Sequence, residues 1–212
     1  MLICLFLVFG LPLAILGILI VQFQRRHSRD AKLSSGSVRL CTVMGSGGHT
    51  TEMLLVLEEF AKNCSHRFYV IADTDRMSER KVLEHERKAE GGSFEILKTP
   101  RSREVGQSYA TAVLSTLNGF LAAFRIVWTS RPDVILSNGP GTALPICVVG
   151  FLLDLLRLRD IRIHFIESYC RVKSLSLTGL LLYHLRITDT FIVQWEDVHI
   201  KYPRSQFIGR LL

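Results

Sequence analysis

The sequence predicts an α/β fold: a parallel sheet with helices on both faces, preceded by one apolar N-terminal helix. Three observations carry this. Short apolar runs alternate with helix-period segments from residue 38 to residue 194. The first of these runs ends in a glycine-rich turn that opens a helix, Gly45-Ser46-Gly47-Gly48-His49-Thr50. A twenty-residue stretch without charge, Leu2 to Val21, stands ahead of them all. The β-α alternation argues for parallel strands, because each parallel connection needs a crossover element.

The apolar stretch contains Gly10, Pro12 and Gly17 but no charged residue. A helix of that length reaches roughly 30 Å, the hydrocarbon thickness of a bilayer. A cleaved signal peptide would show a basic residue first, a shorter apolar core and a small-residue cleavage site. Here no Lys or Arg precedes the run, and bulky Val21, Gln22 and Phe23 end it. Residues 1–23 are therefore expected to be an uncleaved transmembrane anchor. Arg25, Arg26, Arg29 and Lys32 follow it, so the positive-inside rule places residues 25–212 in the cytosol and the N-terminus across the membrane. Residues 24–37 read as a basic polar linker.

Residues 22–39 hold five basic residues and one acidic, which is +4 of the formal net charge of +7. The basic excess is thus a membrane-flank feature. No aromatic-interleaved basic run exists, so nucleic acid is not an expected partner. The five cysteines (Cys4, Cys41, Cys64, Cys147, Cys170) have no zinc-ligand spacing and read as reduced thiols. Asn63-Cys64-Ser65 matches a glycosylation acceptor that would be idle in the cytosol.

Beyond the linker, strands are expected at 38–44, 67–72, 93–98, 133–137, 161–166 and 190–194. Helices are expected at 50–63, 77–89, 106–129, 142–157 and 175–186. The helices at 106–129 and 142–157 are unusually apolar. Their residues are expected to pack on the sheet, leaving a minority face for the bilayer or a partner. Residues 38–212 together form one domain of ordinary size.

Ligands of such sheets gather at the carboxyl ends of the strands. Three turns fall there: Gly45 to Thr50, Asn138-Gly139-Pro140-Gly141-Thr142, and Glu167-Ser168-Tyr169. The first points bare backbone N–H groups and a helix N-terminus at one spot, which suits a phosphate or diphosphate. Gly45, Ser46, Gly47, Gly48 and Thr50 are its candidate ligands, with Asn138, Gly139 and Gly141 on the second turn. His49 stands at the helix mouth, where an imidazole can take a proton from a reacting hydroxyl. Glu167 is the second candidate for that base.

Better-known glycine motifs fit poorly. A dinucleotide fingerprint would need glycine where Thr50 stands, and a P-loop would need a nearby lysine. The first mismatch counts against a nucleotide-dependent oxidoreductase. Asp73-Thr74-Asp75 matches a short D-x-D metal motif, but phosphate binding is assigned to the glycine turn and no metal is expected.

These features together resemble a known family. The apolar N-terminus, Gly45-Ser46-Gly47-Gly48-His49-Thr50, Ser137-Asn138-Gly139-Pro140-Gly141, Ile166-Glu167-Ser168 and the tail from Tyr202-Pro203 to Leu212 are similar to the membrane-anchored subunits of the two-chain UDP-GlcNAc transferase of dolichol-linked glycan assembly. More distantly, the chain resembles the N-terminal half of the bacterial peptidoglycan GlcNAc transferase. The resemblance implies a Rossmann-like, metal-independent half of a GT-B glycosyltransferase, with no cofactor. It implies a soluble catalytic partner that supplies the donor-binding half, and a membrane-bound dolichol-linked acceptor. The first-step dolichol-phosphate GlcNAc-phosphotransferase is a possible further partner. The implied reaction adds the second GlcNAc to GlcNAc-diphosphate-dolichol, with inversion to a β-1,4 linkage. The implied location is the endoplasmic reticulum membrane, single-pass, N-terminus luminal and main domain cytosolic.

The chain ends at Leu212, where a second nucleotide-binding domain would be expected to begin. Phe207, Ile208, Leu211 and Leu212 are accordingly expected to bind the partner. The competing expectation is a scaffold that recruits a catalytic partner and takes no part in the chemistry.

Overall fold

The computed structural model describes residues 11–27, 37–60, 64–89, 91–100 and 109–210. In chain order the elements are α1 (Leu11–His27), β1 (Val38–Val43), α2 (Gly48–Phe60), β2 (Cys64–Ala72), α3 (Arg76–Glu86), β3 (Ser93–Thr99) and α4 (Tyr109–Ser130). Then follow β4 (Val134–Ser137), α5 (Ala143–Leu155), β5 (Arg162–Ile166), α6 (Leu177–His184), β6 (Thr190–Val193), α7 (Glu196–Lys201) and β7 (Gln206–Phe207). All strand pairs are parallel, in the order β3-β2-β1-β4-β5-β6-β7. The expected Rossmann-like sheet is present.

The strand order reverses between β1 and β4, where Val43 lies opposite Ser137. Ser137 in turn lies opposite Phe165 of β5. Three strands thus end at the same level, and the turns beginning at Gly45, Asn138 and Glu167 leave side by side. This is the topological switch point of an open α/β sheet.

Alternation along the strands builds one core on each face. Cys41 and Val43 join Ala123, Ile126 and Val127 of α4, Ile146, Cys147 and Leu153 of α5, and Leu182 of α6. Leu40 and Met44 join Met53 and Leu57 of α2 and Val82 of α3 on the other face. The outer faces of α4 and α5 keep Leu121, Phe124, Trp128 and Leu152 exposed. Among the described side chains, Ala123, Ile126 and Val127 of α4 and most apolar residues of α5 pack on the sheet.

Two elements escape sequence reading. The six-residue α7 and two-residue β7 are too short for periodicity. Acidic Glu196 and Asp197 in the first turn of α7, and His199 and Lys201 in its last, suit its dipole.

At the N-terminus, α1 runs through residues 24–27, the first four of the expected linker. Among the described residues, no helix is long and apolar enough to cross a membrane. The first ten residues of the expected anchor lie outside the described residues, as do 28–36, the glycosylation acceptor Asn63, and Leu211 and Leu212.

One buried network ties β2 to α3. Arg67 donates through Nε and Nη2 to the two Glu86 carboxylate oxygens, both at 2.7 Å, and the Tyr69 hydroxyl donates to Glu86 Oε1 at 2.5 Å. Burial works against the Glu86 charge, but the bonds from Arg67 and Tyr69 outweigh it and hold the carboxyl below its ordinary pKa. Glu86→Ala would leave a buried, unpaired guanidinium, and breaking such a pair costs about 3–5 kcal/mol. Urea unfolding of the detergent-solubilised chain should show that loss at neutral pH. Because the folded pKa is depressed, the stabilisation is present above the unfolded value and is lost as pH falls through the folded one. The variant should lack that acid-dependent component.

Candidate functional site

The glycine turn is braced from behind. Thr50 Oγ1 donates to the Gly45 carbonyl, and Ser78 Oγ of α3 lies 3.0 Å from the same carbonyl and 2.6 Å from Thr50 Oγ1. Thr50 is fully buried, so its hydroxyl shapes the turn and does not face a ligand, contrary to its sequence assignment. Gly45 is needed for close approach: a Cβ there would stand 2.7 Å from His49 Cβ and 3.1 Å from Pro140 Cβ. Gly47 takes φ +65°, a left-handed conformation that disfavours other residues. Ser46, Gly47 and Gly48 are exposed at the start of α2, so the helix's unpaired amides and positive dipole end open to solvent.

The second turn closes on the first. Asn138 is 2 % exposed and donates Nδ2 to the His49 carbonyl at 2.8 Å. Its Oδ1 is buried and has no hydrogen-bond partner among the described residues. Gly139, at φ +91°, is the contact point of the site: a Cβ there would lie 3.5 Å from both His49 Cε1 and Glu167 Oε1. The two candidate bases therefore face each other across a bare glycine, at most twice that distance apart. Gly141 is exposed at the foot of α5.

The third turn is held by a carboxylate. Glu167 is 1 % exposed. Its Oε2 accepts from Ser176 N at 2.8 Å and Ser176 Oγ at 3.1 Å, and its Oε1 accepts from Ser168 N at 3.1 Å. Ser176 is the N-cap of α6, and a Cβ on Gly179 would come within 2.3 Å of Oε2. Glu167 thus pins the 168–176 loop and the start of α6 to the cleft wall. Burial pushes its carboxyl above the ordinary range, partly offset by the Ser176 and Ser168 donors and by Arg171. His49 is half-buried, and its Nδ1 has no partner among the described residues.

Glu52 belongs to the same cluster and was not singled out in the sequence. It lies one turn after Gly48, and its Oε1 accepts from Ser168 Oγ at 3.0 Å. Its Oε2 is buried without a partner among the described residues. The D-x-D stretch serves another purpose. Asp75 caps α3, accepting from Ser78 N at 3.0 Å, and lies 2.7 Å from Ser78 Oγ. Among the described residues no three His, Cys, Asp or Glu side chains are grouped as metal ligands. Cys41 and Cys147 are free and buried, and burial pushes each thiol up to about 12.

The tail reaches the sheet edge. Gln206 and Phe207 pair with Ile192 and Val193 of β6, and Arg210 stacks on Trp195 at 4.6 Å. Phe207 and Ile208 remain about half exposed, at 42 % and 52 %.

The cleft thus combines exposed helix-start amides with an imidazole, the buried Glu167 carboxylate and the half-buried Glu52 carboxylate, the equipment for moving a proton beside a phosphate. The comparisons agree with this architecture. A family profile described as "Oligosaccharide biosynthesis protein Alg14 like" matches residues 40–211. The human "UDP-N-acetylglucosamine transferase subunit ALG14" is 43 % identical over 183 residues, covering 83 % of this chain and 84 % of that protein. The Schizosaccharomyces pombe protein of the same name is 37 % identical over 202 residues, covering 93 % and 95 %. Among solved structures, Acinetobacter baumannii MurG superposes with a TM-score of 0.56 at 16 % identity, over 75 % of this chain and 41 % of that one. That likeness is one of fold, and this chain spans less than half of the MurG chain. With residues 40–211 matched by the family profile and 83 % of the chain by the human relative, the chain belongs to the Alg14-like family of oligosaccharide biosynthesis proteins.

Proposed function

We propose that this chain is the membrane-anchoring, acceptor-binding subunit of a two-chain UDP-GlcNAc transferase that acts on GlcNAc-diphosphate-dolichol. The carrying observation is the juxtaposition of the open Ser46–Gly48 amides with His49 at the point where the strand order reverses. Family membership and the names of the relatives supply the sugar and the pathway.

On this reading the acceptor diphosphate lies on the amides of Ser46, Gly47 and Gly48, and Asn138 Oδ1 takes a hydroxyl or amide of the first GlcNAc. His49 removes the proton from the acceptor hydroxyl as its oxygen attacks C1 of the donor sugar. The C1–O bond to UDP breaks, UDP leaves with the electron pair, and the new linkage is inverted, β-1,4. Glu167 acts as a positioning group, since three donors already engage its carboxylate. The soluble partner supplies the UDP-GlcNAc half. The anchor places the assembly on the cytosolic face of the endoplasmic reticulum.

His49→Ala in the reconstituted complex should lower kcat by about 10²–10⁴-fold, the usual contribution of a general base. Partner capture and membrane retention should stay intact. Unchanged kcat would leave the chain as a scaffold. Glu167→Gln can accept from Ser176 or from Ser168 N but not from both, so it should loosen the 168–176 loop, yet lose far less activity than His49→Ala. A loss as deep as that of His49→Ala would exchange the two roles.

The tail gives an independent check. Fully burying a large apolar side chain is worth roughly 1.5–3 kcal/mol, and Phe207 and Ile208 stand half exposed at a sheet edge. Deleting the last three to five residues should abolish partner capture and activity while membrane insertion survives. Equal partner recovery by both chains would move the interface to the outer face of α4 or α5.

A further inference from the structure

Arg26 falls in the expected basic polar linker, yet it is among the most buried cations of the described residues, at 2 % exposure. Its guanidinium pairs with Asp154 of α5 and, at 2.5 Å, with Asp189 just before β6. It also donates to the carbonyls of Ile161 and Ile187, both at 3.3 Å. Asp189 is fixed in turn by Ile163 N at 2.7 Å. Phe23 meets Phe151 edge-on at 6.2 Å between centroids, and the Arg26 guanidinium lies 5.1 Å from the same ring. An arginine that merely flanks a membrane span keeps its head group in water. This one is enclosed by two carboxylates, two carbonyls and a ring.

The contacts also set a direction. Phe23 meets Phe151 and Arg26 meets Asp154, so α1 and α5 run the same way. The N-terminus of α5 follows the Asn138–Thr142 turn, on the site side of the sheet. At 1.5 Å per residue, α5 rises about 12 Å from Phe151 back to Ala143, and α1 rises about 18 Å from Phe23 back to Leu11. The N-terminal end of α1 therefore extends toward the rim that carries the glycine turn. Leu16, Ile18, Ile20 and Val21 stay exposed along it, an apolar surface continuous with the uncharged stretch that leads back to Leu2.

We propose that the Arg26–Asp154–Asp189 cluster locks the anchor against the domain, so that the cleft rim is held facing the lipid surface from which the acceptor comes. Arg26 is then a positioning residue for a substrate whose tail stays in the bilayer. This rests on the lipid-diphosphate acceptor proposed above. A freely tethered domain would meet the membrane in many orientations, and few of them would present the cleft.

The test uses the full chain with its partner in phosphatidylcholine liposomes and two GlcNAc-diphosphate acceptors. One carries a long polyprenyl chain in the bilayer, and the other a short, water-soluble chain. Arg26→Ala should lower kcat/KM for the bilayer acceptor by at least about tenfold, as expected when a reactant is misplaced, and leave the soluble acceptor within about twofold. Equal losses on both acceptors, or none, would overturn the proposal. Failure of the unaltered complex on both acceptors would instead count against the function proposed above. A second arm needs no activity: Phe23→Cys with Phe151→Cys should be joined by a bifunctional thiol cross-linker in liposomes, because their side chains meet across α1 and α5. The cross-link should form far less when Arg26→Ala is added. No cross-link with Arg26 present would overturn the docking.

Discussion

The pairing of β1 with β4 is the constraint on which everything else depends. These strands are neighbours in space though more than ninety residues apart in sequence, and Val43 stands level with Ser137. Because the chain turns outward in opposite directions from this pair, no crossover helix covers the crevice between their ends. Gly45 permits the closure, since any side chain there would strike His49 and Pro140. Gly139 keeps the opposite side equally bare between His49 and Glu167. Two glycines without side chains thus define both the width of the cleft and the facing of its ionisable groups.

Rigidity behind the cleft is built from polar atoms. Thr50, Ser78 and Asp75 lock the turn to α3, while Glu167, Ser176 and Gly179 lock the third loop to α6. Glu52 joins the two sides through Ser168. Three buried atoms on the cleft turns lack partners among the described residues and point to the chemistry: Asn138 Oδ1, His49 Nδ1 and Glu52 Oε2. Buried polar atoms are nearly always paired, so three such atoms around one crevice fit a site that a ligand completes.

The sheet was legible in the sequence because its strands are short, apolar and separated by amphipathic helices. The three site turns were legible because glycine, asparagine and glutamate stand directly after strands. What escaped depends on distant partners. Arg26 reads as flanking charge until Asp154 and Asp189 come to it, 128 and 163 residues away. Glu52 looks like a solvated helix residue until Ser168 arrives from 116 residues on. Thr50 looks like a ligand because its hydroxyl sits in the glycine motif, and only the fold turns it toward Gly45. The D-x-D stretch shows the same ambiguity from the other side, since an aspartate after a strand caps a helix as readily as it binds a metal.

The central claim is that the amides after β1 receive the acceptor diphosphate. Backbone amide NMR of the full chain in detergent, titrated with a short-chain GlcNAc-diphosphate lipid in the absence of donor, tests it most directly. The amides of Ser46, Gly47, Gly48 and His49 should shift downfield together, with the Asn138 side-chain amide, and the monophosphate analogue should move them less. Shifts confined to other parts of the chain, or equal responses to both compounds, would contradict it.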